Sequence, residues 1–202
     1  MTQTDLIIIG AGPGGYRAAE YAAKKGLKVV VCEASQVGGT CLNEGCIPTK
    51  SYARDAEIVL TLKETGLFGL SNLSYEMDFS QVLARKNEVV GQLRAGIETL
   101  LSHPAITVVQ GVARFVDSHT ISCSNGGETY TAPHIIVATG SVPKILPIDG
   151  AALALDSSDL LKLDHQPESL CIVGAGVIGM EFASIFSTFG TKVTVVEFLK
   201  EC

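Results

Sequence analysis

An α/β fold built on two strand–helix–strand starts is predicted by three features of the sequence. An apolar, β-branched run, Leu6-Ile7-Ile8-Ile9, breaks into a glycine-rich turn, Gly10-Ala11-Gly12-Pro13-Gly14-Gly15. The same pattern recurs at an offset of 164 residues, as Leu170-Cys171-Ile172-Val173 and then Gly174-Ala175-Gly176-Val177-Ile178-Gly179. The register also holds past the turn: Ala19 matches Ala183, Gly26 matches Gly190, Lys28 matches Lys192 and Glu33 matches Glu197. Strand, glycine turn, helix, glycine, strand and acidic residue, written twice, describe two Rossmann-like dinucleotide-binding βαβ units.

Taken in order, the first turn has the residues that such a unit needs. Gly10 permits the tight bend, Gly12 lets backbone approach a pyrophosphate, and Gly15 lets helix and strand pack closely, with Gly14 beside it. Phosphates would sit at the helix N-terminus, where unpaired N–H groups and the dipole favour an anion. Glu33 follows Gly10 by 23 residues at the end of the next strand, where a carboxylate can accept hydrogen bonds from ribose hydroxyls. In the second copy Gly174, Gly176, Gly179 and Glu197 occupy the same places, and a carboxylate at Glu197 suits NAD over NADP. One copy alone would be as consistent with an ordinary βαβ turn; two in register favour nucleotide binding. The copies differ where Arg17 faces Glu181. Read by itself, Glu181 is an acid well placed in the first turn of a helix.

Between the copies, 46–63 reads as helix, and 79–101 carries apolar residues at helical spacing until His103-Pro104 stops it. Strands are expected at 106–109, 112–116 and 120–124, a turn at Asn125-Gly126-Gly127, and a strand pair over 130–139 with Ile135, Ile136 and Val137 buried. Residues 141–150, with Pro143 and Pro147, read as a linker. Domains are placed at 1–145 and, as the start of a second, at 150–202.

Of the 202 residues, 47% are apolar and 18% charged, which suits a packed globular protein. The net charge of −6 disfavours nucleic acid and anionic membrane as partners. No run approaches the roughly 20 apolar residues of a membrane helix, and the opening Met1-Thr2-Gln3-Thr4-Asp5 lacks a basic signal-peptide start. A soluble, cytoplasmic protein is expected, or a mitochondrial matrix protein after processing.

Six cysteines divide into two kinds. Cys32 and Cys171 lie in β-branched runs and read as small buried hydrophobes, and Cys123 as structural; Cys202 is uninformative. The pair in Gly38-Gly39-Thr40-Cys41-Leu42-Asn43-Glu44-Gly45-Cys46-Ile47-Pro48-Thr49-Lys50 is different. A disulfide there would close a loop too short to be a useful staple, so a redox dithiol explains the spacing better. Gly45 lets the chain bend beside Cys46, and Lys50 adds positive charge that favours a thiolate. No second Cys/His pair at ligand spacing supports a metal site. Cys41 and Cys46 are expected to be alkylated before Cys32 and Cys171.

This segment resembles the active-site signature of the flavin-dependent pyridine nucleotide–disulfide oxidoreductases. Leu42-Asn43 and Ile47-Pro48-Thr49-Lys50 are most similar to the dihydrolipoamide dehydrogenases among them, with glutathione or mercuric reductases as the alternative. The resemblance runs the length of the chain, through Ala138-Thr139-Gly140 and Ser157-Ser158-Asp159-Leu160; Glu44 departs from it, replacing a more usual apolar residue. It implies FAD at the first turn, helped by Gly39, Thr40, Ala138, Thr139 and Gly140, and NAD at the second. It further implies that Cys41 exchanges disulfide with dihydrolipoamide or a lipoyl-bearing protein and that Cys46 lies against the flavin. Lys50 lies near the flavin ring and pairs with Glu181, giving that acid a catalytic part. A homodimer serving a 2-oxoacid dehydrogenase or glycine cleavage complex is implied too.

The family's chains are longer and bring a His–Glu acid–base pair from a C-terminal dimerisation domain. His103, His119, His134 and His165 read as solvated or capping residues and do not replace it. The chain alone is therefore expected to be an inactive portion of such an enzyme, with a non-catalytic nucleotide-binding fragment as the alternative, and bare apolar surface near Ile178, Phe182 and Phe186 is expected to promote association.

Overall fold

The computed structural model describes residues 1–124 and 127–200; Asn125 and Gly126 of the expected turn, and Cys202, lie outside the described residues. In chain order the elements are β1 (Thr2–Gln3), β2 (Leu6–Ile9), α1 (Pro13–Lys24), β3 (Val29–Glu33), α2 (Gly39–Glu44), α3 (Cys46–Lys63), α4 (Phe79–Leu101) and β4 (Ile106–Gln110). They continue as β5 (Ala113–Phe115), β6 (Thr120–Cys123), β7 (Thr129–Thr131), β8 (His134–Val137), α5 (Ser157–Leu160), β9 (Ser169–Val173), α6 (Val177–Phe189) and β10 (Lys192–Val196). The chain forms two compact units, Met1–Gly45 with Val90–Ile145, and Cys46–Val89 with Leu146–Cys202.

The first unit is built on a parallel sheet of order β4-β3-β2-β8. Every residue of β2 and β3 is buried, as expected of parallel strands covered on both faces. Alternate side chains serve the two faces. Leu6, Ile8, Val29 and Val31 pack on Ala19, Ala22 and Ala23 of α1 and on Leu101 of α4. Ile7, Ile9, Val30 and Cys32 pack on Ile121, Cys123 and Tyr130, which belong to a second sheet of order β1-β7-β6-β5. Cys32 and Cys123 are thus buried as expected. Ile136 and Val137 are not: they are 38% and 61% exposed. Among the described residues β8 is an edge strand, hydrogen-bonded to β2 alone, and an apolar run cannot show how many of its sides are covered.

The second unit pairs β9 and β10 in parallel. Leu170, Ile172 and Val193 turn inward onto a cluster of Tyr52 and Ala56 from α3, Phe79 from α4, Leu160 and Leu161, and Phe182, Ile185, Phe186 and Phe189 from α6. Strand residues between them point to a face that no described residue covers, so Cys171 is exposed, against expectation, as are Val173 and Val196. Its thiol is open to alkylation as it stands. The expected bare patch on α6 is also corrected. Phe182 and Phe186 are 3% and 0% exposed because α3 and the start of α4 cover them; Val177 and Ile178 remain bare. Among the described residues no helix is long and apolar enough to cross a membrane.

Candidate functional site

The two glycine turns fold by one set of bonds. In the first, the Gly10 amide donates to the Cys32 carbonyl at 2.7 Å; in the second, the Gly174 amide donates to the Val196 carbonyl at 2.8 Å. Glu33 accepts from the amides of Ala11 (2.6 Å) and Ser35 (2.8 Å), one on each carboxylate oxygen. Glu197 accepts from Ala175 (2.6 Å) and Leu199 (2.8 Å) in the same way. The amides of Leu199, first, and Ala175 hold the Glu197 carboxyl below its ordinary value of 4.5, because both bonds favour the ionised form.

Close approach explains a glycine at the third motif position. A methyl on Gly15 would overlap the Gly10 carbonyl oxygen, and one on Gly179 would overlap that of Gly174. The helix starts that follow carry no side-chain cap at Gly12 or Gly176, whereas α5 has a complete capping box from Asp156 and Asp159. Uncapped N–H groups beside a bare glycine fit the phosphates of a dinucleotide. In the first unit Gly39 closes on the turn: a methyl there would come within 2.7 Å of the Gly12 Cα. A methyl on Gly14 would be 3.9 Å from the Ala138 Cβ. Gly10, Gly12, Gly14, Gly15, Glu33, Gly39 and Ala138 therefore meet around one turn, with Thr40, Thr139 and Gly140 exposed.

Cys41 and Cys46 are joined as a disulfide. Cys41 sits in α2, a helix that the sequence did not announce, between Gly38 and Gly45. Cys46 opens α3. By contrast Cys32 is pushed up to about 12, chiefly by burial and then by the neighbouring Cys123, so it stays an inert thiol at neutral pH.

Lys50, one turn into α3, pairs with Glu181 of α6, Nζ to Oε1 3.5 Å. This favours the paired reading of Glu181; Arg17, its counterpart, instead bonds Glu20 of its own helix at 3.0 Å. At 67% and 34% exposed the Lys50–Glu181 pair adds little stability. Behind Lys50, Arg85 donates to Ser51 Oγ (2.9 Å) and Asp55 Oδ1 (3.0 Å), fixing the turn of α3 that carries the lysine. Sequence reasoning missed Arg85, and it missed Arg94, whose Nε donates to Asn43 Oδ1 at 2.9 Å. Neither arginine has a local signal; each is one basic residue on a long helix.

A parallel α/β nucleotide-binding fold, a repeated glycine turn with a bonded acid, and a disulfide between closely spaced cysteines define a class of protein. The chain belongs to the pyridine nucleotide-disulphide oxidoreductase family, whose model matches residues 4–202. It is 42% identical over 200 residues to a dihydrolipoyl dehydrogenase of Mycoplasma genitalium, covering 96% of this chain and 43% of that protein. It is 43% identical over 199 residues to a dihydrolipoyl dehydrogenase of Bacillus subtilis, covering 95% and 43%. Among solved structures it matches the Cu(II) complex of the HOCl-induced flavoprotein disulfide reductase RclA from Escherichia coli, at TM-score 0.85 and 36% identity, over 98% of this chain and 43% of that one. The chain thus spans less than half the length of these relatives.

Proposed function

We propose that this chain works as the front part of a longer dihydrolipoyl dehydrogenase, oxidising dihydrolipoamide or a lipoyl-bearing protein with NAD+. The observation that carries the reading is the Cys41–Cys46 disulfide, its first cysteine held next to Gly39, which closes on the first glycine turn. Residues 1–145 are assigned to an FAD domain and 150–202 to the start of an NAD domain. Gly10, Gly12, Gly14, Gly15 and Glu33, with Gly39, Thr40, Ala138, Thr139 and Gly140, would hold FAD. Gly174, Gly176, Gly179 and Glu197 would hold NAD, the acid accepting from the ribose. When bound, the flavin would supply two-electron chemistry between a dithiol and a nicotinamide.

The chain's own part is thiol exchange. One thiolate of the substrate attacks the Cys41 sulfur, the Cys41–Cys46 bond breaks, and Cys46 leaves as a thiolate. The second substrate thiolate then attacks its partner in the mixed disulfide, and Cys41 leaves in turn. The substrate is oxidised to a disulfide, the cysteine pair is reduced, and the two substrate protons are released. Lys50, held by Glu181, would bring positive charge to that region. A homodimer is proposed for the full-length protein, serving a 2-oxoacid dehydrogenase or glycine cleavage complex.

A second reading, another disulfide reductase of the same family, is favoured by the likeness to the Escherichia coli flavoprotein disulfide reductase. The full-length protein decides between them. NADH formation from dihydrolipoamide is expected, with a flavin spectrum in the purified protein. A yellow protein that ignores dihydrolipoamide but consumes reduced nicotinamide with another disulfide would move it to the second reading. A preparation that takes up no flavin would overturn both.

A further inference from the structure

Helix α2, which carries Cys41, has only six residues, and a helix that short does not hold itself in water. Its Leu42 side chain is buried, the preceding Gly38 amide donates to the Ala11 carbonyl at 2.8 Å, and Asn43 adds side-chain bonding. The Asn43 Nδ2 donates to the carbonyl oxygens of Val37 and Gly39, both at 3.1 Å, with that of Gln36 further off at 3.4 Å. Its Oδ1 accepts from Arg94 Nε at 2.9 Å. The amide's orientation follows from chemistry: a guanidinium has no acceptor, so the oxygen must face Arg94 and the NH2 must face the carbonyls. Arg94 lies on α4, 23 residues long, and belongs to the same compact unit as Asn43. A charge-assisted bond therefore ties the short helix and the Gly38-Gly39 loop to a long one.

We propose that Arg94 and Asn43 are a positioning pair for Cys41, fixing α2 so that the freed thiol stays placed to re-form its bond with Cys46. The pair would thereby set how strongly the disulfide resists reduction. The proposal rests on the reading of Cys41–Cys46 as an exchanging disulfide. In the test reaction the protein disulfide and two glutathione thiols give two protein thiols and glutathione disulfide: one S–S bond breaks, one forms, and two protons pass to the protein. Its equilibrium constant measures the effective concentration of one cysteine at the other, which falls when the element carrying Cys41 is loosened.

The 202-residue chain is equilibrated in glutathione redox buffers, quenched by acid and alkylated, and Cys41 and Cys46 are mapped by mass. Arg94→Met keeps the length and apolar stem and removes the donor; Arg94→Lys keeps a cationic donor. Arg94→Met should make the disulfide about tenfold easier to reduce, about 30 mV for a two-electron couple, with Arg94→Lys recovering part of the loss. A constant within about twofold of the unaltered chain for a folded Arg94→Met overturns the proposal. If Arg94→Met does not fold, Asn43→Ser, which removes the other half of the pair, is judged on the same threshold. No flavin or nicotinamide enters this measurement, so turnover of the full-length protein judges the functional reading separately.

Discussion

Glu33, the last residue of β3, and Glu197, the residue after β10, have both carboxylate oxygens bonded to backbone N–H groups of the loops they face. For Glu197 those bonds depress the carboxyl below 4.5. A depressed acid stabilises the folded state above its unfolded value, and that contribution is lost as pH falls through the lower, folded value. Glu197→Gln should therefore flatten the fall in thermal midpoint between about pH 5 and pH 3 without changing its direction elsewhere. An identical slope in the two proteins would show that the carboxylate does not carry this dependence. The acid was legible because the repeat put it in register twice. Its backbone bonds were not, since Ser35 and Leu199 share no chemistry except a main-chain N–H.

Among the elements, α6 shows most clearly how a helix is fixed by partners distant in sequence. Phe186 is fully buried, with the rings of Phe189, Phe182, Tyr52 and Phe79 at 6.1 to 6.4 Å. Removing that ring leaves a cavity that four aromatic neighbours cannot fill, and Phe186→Ala should cost about 3–5 kcal/mol. Ile178→Ala on the bare side of the same helix, 59% exposed, should stay within about 0.5 kcal/mol. Denaturant midpoints at constant slope measure both. The sequence reading placed α3 and α4 at their observed bounds, α4 by its apolar spacing, because an apolar stripe is a local property. It could not show that Tyr52 and Phe79 cover Phe182 and Phe186, nor that one face of β9 stays open and exposes Cys171. Coverage depends on pairings that no window of sequence contains. Helix α2 escaped for a different reason: at six residues it is too short for a stripe, and its ties, such as Asn43 to Arg94, run to partners outside its own sequence.

For the molecule as a whole, duplication made the nucleotide-binding fold readable. A glycine turn is ambiguous once; with its helix, second strand and acid repeated at a fixed offset it is not. The disulfide pair was legible from spacing, and Lys50–Glu181 only through resemblance, since 131 residues separate the partners. The repeat also gives the molecule an internal control. Gly10 and Gly174 share a backbone conformation, with φ of 99° and 101°, but not their surroundings. A methyl on Gly10 would run into the carbonyl of Ala138, while one on Gly174 meets nothing within 4 Å. Alanine at Gly174 should cost only the conformational strain, about 1–3 kcal/mol. Alanine at Gly10 should add about 1–3 kcal/mol for displacing the neighbouring strand. Subtracting one unfolding free energy from the other cancels the torsional part and leaves the crowding, so two substitutions in one chain separate quantities that a single glycine always reports together.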